Sequence, residues 1–111
     1  MQERARRYFR IIAVELPNRE DFLSDKAKGQ PPRNADDAEL LRLWDGISVF
    51  ATFQQARNKA NRYDLGRFIA EVLIPENSPI RVERTTRSPG HHTLWSEPDA
   101  VLRCVVRVLP L

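Results

Sequence analysis

A chain of 111 residues, 41% hydrophobic and 30% charged, has the size and apolar content of one folded domain, and residues 1–111 are read as that single domain. This composition excludes a disordered polymer, and no run approaches the ~20 apolar residues of a membrane-spanning helix, so a soluble protein with no membrane partner is expected. Eighteen Lys and Arg against fifteen Asp and Glu leave a net charge of +3, too small and too dispersed to make nucleic acid the favoured partner.

Residues 1–7 lead from charges directly into a strand-like run without the apolar stretch of a secretory signal, and Cys104 is the single cysteine. With no intrachain disulfide or cysteine zinc cluster available, a reducing cytoplasm is the expected compartment. Lysine occurs only at Lys26, Lys28 and Lys59, so the cations are mostly arginines, suited to planar pairing with carboxylates and phosphates. Arg4, Arg6, Arg7 and Arg10 form one local concentration, and Arg81, Arg84 and Arg87 form another. Strand pairing that joined them would make a site for an anion or an RNA backbone; solvated or ion-paired arginines are the alternative.

In chain order, residues 8–16 are rich in β-branched and aromatic side chains and stop at Pro17, which predicts a strand. Residues 18–25 predict a short helix capped by Asn18 and anchored by Phe22 and Leu23. Turn chemistry over residues 29–34 predicts a surface loop. Residues 36–44 place Leu40, Leu41, Leu43 and Trp44 at helical spacing, with acids in the first turn and Gly46 beyond the end. A short strand over 47–51 follows, and Thr52-Phe53-Gln54-Gln55 has the composition of a capping box opening a helix to about Tyr63. That helix turns Phe53, Ala56, Ala60 and Tyr63 to one side, and its alanines predict close approach to a sheet.

Residues 67–74 and 80–84 predict two further strands separated by the proline-flanked turn 75–79. The stretch 85–98 is irregular, with Thr93-Leu94-Trp95 as a short strand or anchor. Residues 101–109 alternate, with Leu102, Cys104, Val106 and Val108 on one side, and predict a final strand. The fold class is α+β: a mixed, mainly antiparallel sheet of four to six strands with two or three helices.

Three groups of residues are candidates for chemistry. Alternation puts Arg10 on the apolar side of the first strand with Tyr8 and Ile12, where a guanidinium needs either a partner or an anionic ligand. Glu71, between Ile69 and Leu73, has the same anomaly unless its side of the strand is solvated. The junction Gly46 to Gln55 delivers a strand into a helix N-terminus, where an anion would meet unpaired N–H groups at Thr52 to Gln54; capping is the simpler role for Thr52. His91 and His92 are adjacent on an extended chain and point opposite ways, a poor pair for one metal. One of them, with His92 as the candidate, suits acid–base work beside Glu83 or Glu97, against a turn histidine bonded to backbone. No Gly-x-Ser-x-Gly is present and Cys104 falls in a predicted strand, which argues against serine or cysteine hydrolases.

The order of these segments resembles a reduced ADP-ribosyltransferase-like fold of the kind found in small bacterial toxins and the related RES domains. The resemblance is carried by Tyr8-Phe9-Arg10, by Gly46-Ile47-Ser48-Val49-Phe50-Ala51-Thr52 with the alanine-bearing helix after it, and by Ile69-Ala70-Glu71-Val72-Leu73-Ile74-Pro75. It covers roughly residues 8–75. The family's Ser-Thr-Ser run and Glu-x-Glu pair are absent. The resemblance implies NAD as cofactor, with Arg10 on its phosphates, Phe50 stacked on the nicotinamide, Ser48 and Thr52 in the cofactor site, and one acid among Glu71, Glu83 and Glu97 contacting the ribose. Other expectations stand beside it: a non-enzymatic module docking on a protein through Trp95, residues 26–34 or the Leu109-Pro110-Leu111 end, and arginine-mediated nucleic-acid binding.

Overall fold

A computed structural model describes residues 5–111, so Arg4 lies outside the described residues. The elements are β1 (Ala5–Ile12), a 3-10 turn (Arg19–Phe22), α1 (Ala38–Trp44), β2 (Ile47–Phe50), α2 (Phe53–Tyr63), β3 (Phe68–Pro75), β4 (Arg81–Arg84), β5 (His91–Trp95), α3 (Pro98–Leu102) and β6 (Val105–Pro110). The fold is α+β. Six strands form one sheet in the order β4-β5-β2-β1-β3-β6, and every pairing is antiparallel. None of the described helices is long and apolar enough to cross a membrane.

The alternation of β1 and its neighbours gives the sheet two different faces. One carries Ile12, Ile47, Val49, Ala70, Val72, Ile74 and Leu94, packed with Phe22 of the 3-10 turn and Val101 of α3 into the larger core. The other carries Phe9, Phe50 and Ile69, on which α2 lies through Ala56. Ala56 and Ala60 are fully buried, so the small side chains bring the helix backbone down onto the strands. Thr52 accepts a hydrogen bond from the Gln55 backbone N–H at 3.1 Å, and Asp64 ends the helix in the left-handed region at φ 52°.

Two predicted strands change shape. The first was expected to reach residue 16, but β1 stops at Ile12, opposite Phe68, because Phe68 is where β3 begins. Beyond that point no partner backbone remains, and Val14 and Leu16 are 43% and 84% exposed. The continuous strand over 101–109 is divided: Pro98 opens α3, Val101 is fully buried, and β6 starts only at Val105. Val72 pairs with Val105 and Glu71 with Arg107, leaving Val106 as the extra residue of a bulge that turns it outward, 53% exposed. Period-two counting therefore misplaces Val106. Conversely, β5 is longer than expected and takes in both histidines.

Glu71 lies on the α2 side of the sheet, 4% exposed. Arg107 donates to its Oε1 from Nη2 at 3.1 Å and from Nε at 3.3 Å, and the Arg7 Nε is 3.7 Å from its Oε2. Arg7, Glu71 and Arg107 come from three adjacent strands, so this carboxylate ties β1, β3 and β6 together. Both arginine side chains are mostly exposed, which keeps the tie modest. Glu71→Gln is expected to lower unfolding stability by about 1 kcal/mol in chemical denaturation, since a charge-assisted acceptor becomes a neutral one. A variant as stable as wild type would show that these bonds carry no net energy.

Candidate functional site

β1 and β2 share one registered pair, Phe9↔Phe50, whereas β1 pairs with β3 along its whole length. Past that pair the two strands part and a cleft of about 740 Å³ opens, within the range of ~300–1,000 Å³ typical of small-molecule sites. Arg10 of β1, Ser48 and Phe50 of β2, His91 of β5, Asp21 of the 3-10 turn and Trp44 of α1 are among the residues that line it.

Arg10 spans the gap. Its Nη1 donates to the Ser48 carbonyl at 2.9 Å and its Nε to the Asp21 carbonyl at 3.2 Å. Burial pushes this guanidinium down to about 10, against the opposing pull of Asp25 and Asp21, so it remains cationic at neutral pH. Around it the lining mixes Lys28, Arg33 and Lys59 with Glu20, Asp21 and Asp25.

His91 is the histidine of the cleft. Its Nε2 is 2.9 Å from the Ser48 Oγ, and its Nδ1 is 3.1 Å from both the Thr85 carbonyl oxygen and the Thr85 Oγ1. The Thr85 Oγ1 in turn lies 2.6 Å from the Thr93 Oγ1, and the ring meets Phe50 edge-on at 5.5 Å. Burial lowers the His91 pKa; the Thr85 backbone partly offsets this, and the positive charge of Lys59 adds to the lowering.

The residues expected at the site separate into those inside and those outside it. Arg10, Ser48 and Phe50 line one cleft. Phe50 is only 3% exposed, so little of its ring is presented to a ligand, and Trp44, whose indole N–H donates to the Gln30 carbonyl at 2.8 Å, is the larger aromatic surface there. Thr52 is engaged in capping α2. Glu71 is engaged by Arg107 and Arg7, and Glu83 is bonded by Arg42 at 2.6 Å and Arg81 at 2.7 Å. Glu97 occupies the N-cap position of α3, so none of these three acids lines the cleft. His92 sits on the opposite side of β5, its Nδ1 2.9 Å from the Gly90 carbonyl and its ring 5.1 Å from Tyr8. Among the described residues no group of three or more His, Cys, Asp or Glu is placed to hold a metal ion.

Gly90 sets where β5 begins. It adopts φ +70°, its carbonyl accepts from the Ala51 N–H at 2.9 Å, and a Cβ there would collide with the Gln55 side chain. Gly90→Ala is expected to cost about 1–3 kcal/mol in unfolding stability through its positive φ, the end of the flexible Gln55 side chain being able to shift. A loss below 0.5 kcal/mol would mean that the turn repacks freely.

His91 gives a pH signature. Its folded-state pKa is below the ordinary value of about 6.5, so the unfolded chain takes up the proton first and acidification destabilises the fold. The His91 contribution is fully present above that value and is lost as pH falls below it. Unfolding free energies from pH 7.5 to 5 should therefore fall more steeply for wild type than for His91→Asn; equal slopes would show that the ring is not held neutral.

Comparison of the chain with protein-family models, with curated proteins and with solved structures finds no match.

Proposed function

We propose that the cleft binds NAD and supports cleavage of the nicotinamide–ribose bond with transfer of ADP-ribose, as an ADP-ribosyltransferase-like domain. The observation that carries this reading is that Arg10, Ser48 and Phe50, drawn from two strands far apart in sequence, line one opening. In this reading Arg10, fixed by its two carbonyl acceptors, presents a preoriented cation to the pyrophosphate, and Lys28, Arg33 and Lys59 add long-range attraction. Trp44 offers the aromatic surface for a planar ring, with Phe50 as the wall behind His91. The positive charge that develops on the ribose as nicotinamide departs would be balanced by the cleft's own carboxylates, Glu20, Asp21 and Asp25.

A two-dimensional amide NMR titration of the chain with NAD tests the reading. Shifts are expected at Arg10, Ser48, His91 and the Trp44 indole. Arg10→Lys should weaken binding about tenfold, because an ammonium keeps the charge but not the planar set of donors. An unchanged spectrum at millimolar NAD would overturn the proposal. A non-enzymatic docking module would then be the better account, with the exposed Val14 and Leu16 available as contact residues.

A further inference from the structure

Ser48 and His91 stand in a relation that the cofactor reading does not require. The His91 Nδ1 faces the Thr85 carbonyl oxygen at 3.1 Å. A carbonyl oxygen can only accept, so Nδ1 carries the proton and Nε2 presents its lone pair. At 2.9 Å from that lone pair the Ser48 hydroxyl is the donor. The ring is backed by buried side chains: Thr85 is 8% exposed and Thr93 3%, and their hydroxyls are joined at 2.6 Å. Ser48 itself is exposed and lines the cleft. An exposed hydroxyl, a base within hydrogen-bond reach and a third group orienting that base are the parts of an activated nucleophile.

Resting on the NAD reading above, we propose that Ser48 is the acceptor of the transferred group, attacking C1 of the nicotinamide-bearing ribose with His91 as its base. The C1–N bond to nicotinamide breaks and its electron pair neutralises the pyridinium nitrogen. The bond from Ser48 Oγ to C1 forms, and the hydroxyl proton passes to the His91 Nε2. Imidazolium then loses that proton to solvent, leaving ADP-ribosyl-Ser48, free nicotinamide and a proton. Ser48 rather than water is the acceptor because its hydroxyl already occupies the lone pair of the base; a water would have to displace it. Burial keeps that base neutral, and so competent, at physiological pH.

The test incubates the full chain with NAD and follows intact mass, peptide mapping and nicotinamide release, alongside NAD binding by amide NMR. One added ADP-ribosyl group is expected, mapped to Ser48 and absent from Ser48→Ala. His91→Asn should slow its formation at least about 100-fold while NAD still shifts the amide spectrum. Bound NAD with nicotinamide released and no mass added to the chain would overturn Ser48 as acceptor and leave the cofactor reading standing. An adduct that persists in Ser48→Ala would do the same, and one formed at wild-type rate in His91→Asn would remove the base. Absence of NAD binding would overturn both proposals.

Discussion

The structure depends on a sheet that divides within its own ladder. β1 is central, yet it is bound to β2 at one register position, Phe9↔Phe50, before the strands separate. A central strand that leaves a neighbour exposes carbonyls that must be satisfied in some other way. Arg10 does this from the side, with the Ser48 carbonyl on one hand and the Asp21 carbonyl on the other. One guanidinium thus substitutes for backbone pairing, ties the 3-10 turn to the central strands, and leaves a permanent cation in the opening between them. Stability and the charge of the cleft are coupled at this side chain.

The remaining polar groups sort by whether they line the cleft. Outside it, Glu71 is consumed by Arg107 and Arg7, and Glu83 by Arg42 and Arg81. Arg42 also lies 4.8 Å over the Trp95 ring and Arg81 5.6 Å over it, so these arginines are engaged in stacking as well as pairing. The abundance of arginine therefore reads here as internal bracing between strands and helices. In the cleft, by contrast, cations and acids are interleaved.

Much of this was legible in the chain. The α+β class, the Thr52 cap, the helix Phe53–Tyr63 and the alanine face of that helix follow from local spacing and capping chemistry, which the tertiary structure leaves intact. Arg10 was visible as a charge on an apolar side, because alternation along a strand is a short-range property. What was hidden is long-range. Whether residues 13–16 extend a strand depends on where β3 begins, and the outward turn of Val106 depends on a bulge that exists only against Glu71 and Val72. The same limit governs the site. His91 and His92 were known to point opposite ways, but only the pairing of His91 with Phe50 and of His92 with Val49 decides which of them joins the cleft. The sequence places Trp44 only at helical spacing in α1, and its position in the cleft lining has no local signal.

The strand order also bears on how the molecule assembles. The longest ladder joins residues at opposite ends of most of the chain, from Ala5↔Pro75 to Ile12↔Phe68, while the nearer partner β2 offers β1 one pair. The first strand consequently has almost nothing to hold it until residues 68–75 are present, and loop closure over that separation must precede the contacts that reward it. Helix α2 and the β4–β5 pair are built from near neighbours in sequence, whereas the centre of the sheet and the cleft beside it need the longest loop of any pairing to close.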